Sequence, residues 1–114
     1  MNMSNVLFVS VAQSYQPGMT AEELVKVAQR AWAVSERRGH EMTHLVAVYE
    51  GRPLMAWTVL DAYKTDETYK TSGSERPRIG FALGSAVPIE PDWHFSREEF
   101  GKKLRRGVTF EYGI

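Results

Sequence analysis

Between Ser14 and Val59 the chain spells out a turn, a helix start and a hairpin, and this order constrains the fold more than any bulk property. Ser14-Tyr15-Gln16-Pro17-Gly18 must interrupt regular structure, because proline lacks an N–H and glycine tolerates left-handed backbone. Thr20-Ala21-Glu22-Glu23 then reads as a capping box, with Met19 and Leu24 at the positions of a hydrophobic staple. Leu24, Val25, Ala28, Ala31 and Trp32 follow on a 3.6-residue period, largely opposite Glu22, Lys26, Gln29, Arg30 and Arg37. This pattern predicts one helix that stops before Gly39. A hairpin follows, with arms His44–Tyr49 and Leu54–Leu60 around Glu50-Gly51-Arg52-Pro53. Both arms are almost entirely apolar, so the sheet should be covered on two sides or curled into a barrel.

The flanking segments extend the pattern. Asn5–Ala12 is β-branched and apolar on both faces, as a central strand requires. Lys64–Pro77 is polar, contains Ser-Gly-Ser, and reads as a long mobile or site-forming loop. Arg78–Leu83 reads as a short strand ended by Gly84, and Ser85–Phe95, with Pro88 and Pro91, as irregular. Ser96-Arg97-Glu98-Glu99 is a second capping box, with Phe95 and Phe100 as its staple pair. It should open a short helix running to about Arg106 and stopping at Gly107, before a last strand over Val108–Tyr112. The expected architecture is a single α+β domain over residues 1–114, in the order β-α-β-β-β-α-β.

Composition narrows the function classes. A chain of 114 residues can bury a core without staples, and the absence of cysteine removes disulfides and thiolate chemistry. The net charge is zero, so nucleic-acid binding would need a local basic patch and not a global field. No apolar run reaches the length of a membrane helix and no secretory signal opens the chain, so a cytoplasmic protein without membrane contact is expected.

The residues Tyr15-x-Pro17-Gly18-Met19-Thr20-x-x-Glu23-Leu24, Arg30-x-Trp32 and Leu45-Val46-Ala47-Val48-Tyr49-x-Gly51 together resemble the PUA-like β-barrel modules, the group of PUA, ASCH, EVE and SRA-type domains. The Trp57–Leu60 strand, Arg78-x-x-Phe81 and Arg105-Arg106-Gly107 continue the likeness, which is nearest to small uncharacterised bacterial and phage members. The resemblance implies a strongly bent mixed sheet closing toward a barrel, with the first helix packed at its side. It also implies a cleft beside that helix of the kind that binds RNA or modified DNA bases. A ligand cavity bounded by Tyr15, Arg30, Trp57 and Phe81 is expected under it, with plain core packing as the alternative for the aromatic members.

No catalytic constellation stands out. His40 and His44 are four apart but flank a helix break, and no HExxH-type motif accompanies them, so no metal site is expected. Asp92 and Glu99 echo an acidic-pair nuclease, but the lysine after Glu99 falls one residue out of place and Glu99 belongs to the helix cap. Nucleophile elbows and P-loops are absent, and neither an enzyme nor a cofactor is expected. Arg37 and Arg38 on the first helix, and Lys102, Lys103, Arg105 and Arg106 on the last, are candidates for nucleic-acid backbone contacts. The alternative is that Arg97, Lys102 and Lys103 pair with Glu98 and Glu99 on a solvated face. The leading expectation is therefore a non-enzymatic module that recognises DNA or RNA, including an unusual base. The rival is a phage-encoded or accessory interaction factor that binds a host protein or a second copy of itself.

Overall fold

The computed structural model describes residues 3–114, built around one five-stranded mixed sheet. Its strands are β1 (Val6–Ser10), β2 (His44–Tyr49), β3 (Arg52–Thr71), β4 (Ser74–Val87) and β5 (Val108–Glu111), in spatial order β4-β3-β2-β1-β5. β1 and β2 run parallel, and every other pairing is antiparallel. The helices are α1 (Ala21–Ala28), α2 (Glu36–His40) and α3 (Arg97–Lys103), with a 3-10 turn at Pro91–Trp93. No helix among the described residues is long and apolar enough to cross a membrane.

The double-sided apolarity of β1 and β2 has its cause in this layering. Leu7, Val9, Leu45 and Ala47 point into one core with Leu24, Ala28, Val34, Met42, Trp57 and Phe81. Val6, Phe8, Val46 and Val48 point into the other with Ala56, Trp93 and Phe100. Burial of such side chains is worth about 1.5–3 kcal/mol each, so the two cores together explain why the central strands carry no polar face. The sheet nonetheless stays open, contrary to the closure that the family resemblance implies. Helices cover both faces, so barrel closure is not needed to bury them.

Both capping boxes form. Thr20 Oγ1 accepts from the Glu23 N–H at 3.1 Å and the Thr20 N–H donates to Glu23 Oε1 at 3.0 Å. These hydrogen bonds, the backbone one first, hold the Glu23 carboxyl below its usual pKa. Ser96 and Glu99 repeat the exchange at 3.1 and 3.4 Å, and the staple rings of Phe95 and Phe100 meet edge-on at 5.3 Å.

The single long helix does not form. α1 ends at Ala28, and the backbone of Gln29–Trp32 pairs with the edge of β4 instead. The Trp32 N–H donates to the Ile79 carbonyl at 2.8 Å, Ile79 returns the bond at 2.9 Å, and the Phe81 N–H reaches the Gln29 carbonyl at 3.0 Å. The Trp32 indole N–H takes the Ala28 carbonyl at 2.8 Å, closing the end of the helix. Tertiary pairing has overridden a helical period, since a sheet edge offers three backbone bonds at once. Ser35 then caps α2 through the Arg38 N–H, and Gly39 lies inside this helix. A Cβ at Gly39 would stand 3.1 Å from the Ala62 Cβ and 3.4 Å from the Phe81 ring, so a side chain here would make α2 shift by a few tenths of an ångström against β3 and β4.

The expected Lys64–Pro77 loop is also replaced. Its residues are the far arms of β3 and β4, joined through Ser72 and Gly73, both at positive φ (46° and 81°). Positive φ at both central residues is the two-residue hairpin turn whose twist matches that of the strands. The arms are polar because this part of the ribbon is exposed, not because it lacks structure. β4 likewise runs past Gly84 to Val87, and the segment expected to be irregular supplies Trp93, almost wholly buried in the second core.

Candidate functional site

A cleft of about 980 Å³ opens at the carboxyl end of β1. One wall is the loop leaving β1 (Ser10–Ser14), another the end of α1 with Arg30 and Trp32, and a third the turn between α3 and β5. That turn is held by the Gly107 N–H on the Leu104 carbonyl at 2.8 Å and by the Ser10 N–H on the Gly107 carbonyl at 2.7 Å. α3 stops short of the expected Arg106, at Lys103 with Leu104 as its C-cap, and Gly107, at φ of +93°, redirects the chain into β5. The preceding residues, Arg105 and Arg106, are thereby brought to the cleft. β4 contributes Arg78 and β3 contributes Glu67.

Four arginines, Arg30, Arg78, Arg105 and Arg106, therefore line this cleft beside one carboxylate, Glu67. Arg30 Nη2 lies 3.6 Å from Glu67 Oε2, and both side chains are more than half exposed. An exposed pair of this kind is worth at most about 1 kcal/mol, so a phosphate could replace the carboxylate at little cost. Guanidinium groups accept phosphate oxygens in bidentate geometry, which makes the cleft suited to an anionic ligand.

The remaining candidate residues separate by environment. Trp57 and Phe81 are buried in the first core and do not line the cleft. Tyr15 is half-buried against Tyr49, with ring centroids 4.7 Å apart, and is likewise absent from its lining. Of the expected quartet only Arg30 is there. The fold separates the aromatics from it because both Trp57 and Phe81 point toward α1 and α2, beneath the sheet.

The backbone-contact candidates divide as well. Arg37 is exposed on α2. Arg38 lies with its guanidinium carbon 4.1 Å from the Phe110 ring centre, and its Nε donates to the Tyr112 hydroxyl at 3.1 Å. Tyr112 in turn donates to Glu41 at 2.8 Å. Lys102 pairs with Glu98 at 3.7 Å, the pairing foreseen as the alternative, whereas Lys103 pairs with Glu111 at 3.2 Å and sits over the Phe95 ring. Only Arg105 and Arg106 of the six reach the first cleft.

Arg78 and Trp32 are cleft residues that sequence reasoning did not assign to a basic site. The Ser72-Gly73 dipeptide was the available signal, since reading it as a hairpin turn would have placed Arg78 and Glu67 on neighbouring strands. Asp92 and Glu99 form no pair at a cleft: Glu99 is spent on its cap. Among the described residues no three His, Asp or Glu side chains come together as a metal-ligating group. His40 lies between Glu36 at 3.5 Å and Asp61 at 3.6 Å, while the His44 ring packs tilted against Trp93 with centroids 5.0 Å apart. Burial pushes the His44 imidazole below its ordinary pKa, with Glu90 opposing the effect.

No family model matches the chain, and neither the comparison with curated proteins nor that with solved structures finds a match.

Proposed function

We propose that this protein is a non-enzymatic module that recognises nucleic acid, with phosphates held by Arg30, Arg78, Arg105 and Arg106. The observation that carries the reading is that these four arginines, from three separate parts of the chain, line one cleft. A protein of zero net charge gains nothing from a global field, so such a local concentration of one sign is the electrostatic footprint that phosphate binding needs. The PUA-like affiliation remains part of the proposal. It rests on the sequence resemblance alone, and the open sheet departs from the closure it implies.

Salt-dependent binding to oligonucleotides tests the reading. Each phosphate contact should contribute roughly −0.7 to the slope of log K against log salt for a single strand. Arg106→Ala and Arg105→Ala should each lower affinity and flatten that slope by about one contact. Absence of binding to any oligonucleotide at low salt would overturn the proposal.

A protein partner is the rival reading. It is favoured by Leu60 and Tyr63 of β3, which are 70% and 41% exposed. In that case Leu60→Lys, and not the arginine changes, would abolish partner capture after nuclease treatment.

A further inference from the structure

A second cavity of about 570 Å³ adjoins the arginine cleft and shares Ala33, Arg106 and Val108 with it. Its lining differs in kind. Tyr69 and Phe110 supply half-buried ring surface, Val34 and Val108 supply apolar floor, and Arg38 and Lys70 supply cations at its margin. Its lining includes no carboxylate. The Arg38 guanidinium is fixed by the Phe110 ring and the Tyr112 hydroxyl while the residue stays exposed. Such a clamped plane can stack on a flat ligand without first losing side-chain freedom.

We propose that this second cavity receives a nucleobase from a single strand whose phosphates lie in the adjoining arginine cleft. The inference rests on the nucleic-acid reading of that cleft and specifies the form of nucleic acid. A base within a duplex must be unstacked and unpaired, at a cost of a few kcal/mol, before it enters a side pocket, whereas an unpaired base can stack on tyrosine or on an arginine plane without that cost. Arg106 borders both cavities and so stands where a phosphate would be followed by its base. Tyr69 and Lys70 come from the far arm of β3, which gives the exposed hairpin a ligand-facing role.

The test compares an unmodified single-stranded oligonucleotide of about eight nucleotides with an abasic strand of the same length and charge, both at low salt. The wild-type protein should bind the base-bearing strand about tenfold more tightly than the abasic one. Tyr69→Ala should erase most of that ratio while changing the salt slope by no more than one contact, since Arg78, whose guanidinium carbon lies 5.9 Å from the Tyr69 ring centre, is the cleft arginine it touches. Equal affinity for the two strands would overturn the base pocket and leave the arginine cleft as a phosphate site. Tighter binding of the matching duplex would overturn it too. Failure of every strand to bind would bring down the underlying nucleic-acid reading along with it. The wild-type comparison needs no variant, so a misfolded Tyr69→Ala protein would not rescue the proposal.

Discussion

The cations of α3 and those of the turn after it lie a few residues apart and do different work. Lys103 is drawn against the protein by Glu111 and by the Phe95 ring, whereas Arg105 and Arg106 face the cleft. The difference comes from backbone geometry. Lys103 is still helical and points across to β5, while the Gly107-terminated turn carries the next two arginines out of that register. A positive charge in sequence is thus structural or available according to what the following residues let it face. Arg38 shows an intermediate condition, fixed by aromatic neighbours yet lining the second cavity.

Phe100→Ala attacks both groups at once and should have the largest effect. Phe100 anchors α3 to the second core, with its ring 5.5 Å from Phe8 and 5.3 Å from Phe95. Truncating a buried phenylalanine costs about 3–5 kcal/mol through lost burial and the cavity left behind. Urea unfolding should show this loss, and a change below about 1 kcal/mol would mean that α3 is held chiefly by its cap and ion pairs.

Lys103→Ala and Arg38→Ala should separate the structural cations from the others. Each removes a cation–π contact and one polar partner, Lys103 at a partly shielded site and Arg38 at an exposed one, and each should destabilise by roughly 0.5–1 kcal/mol. Arg105→Ala and Arg106→Ala should change stability by less than about 0.5 kcal/mol, since neither side chain supports the core. Thermal unfolding of the four variants decides the matter. Equal destabilisation in all four would erase the distinction between fixed and available cations.

That distinction marks how far local sequence could be read. The capping boxes at Thr20 and Ser96 were legible because each depends on residues three apart, and so were β1 and β2, whose apolarity reports burial on both faces. The boundary of α1 was not, because Trp32 leaves the helix for Ile79, a partner far along the chain. The same long-range pairing hid Arg78 from the basic clusters. Trp57 and Phe81 were visible as aromatics in strands, but which side of the sheet they faced depended on where α1 and α2 would pack. The first cleft consequently retained only Arg30 of the four residues grouped for it, while gaining three arginines from two other elements.

The smallest expected effect concerns Glu67, the one carboxylate among the four arginines. At 3.6 Å from Arg30, it occupies part of the guanidinium surface that a phosphate would use. Unit charges about 4 Å apart in water interact by roughly 1 kcal/mol, and salt screens most of that at an exposed site. Glu67→Gln should therefore raise oligonucleotide affinity by about two- to fivefold at low salt, with the gain shrinking as salt increases. Stability should change by less than about 0.5 kcal/mol. A fall in affinity instead would show that Glu67 holds Arg30 in its binding position, which would place Arg30 with Lys103 among the cations fixed by a carboxylate. A rise that salt abolishes would place Arg30 with Arg105 and Arg106, because only a cation available to solvent anions can be competed for in this way.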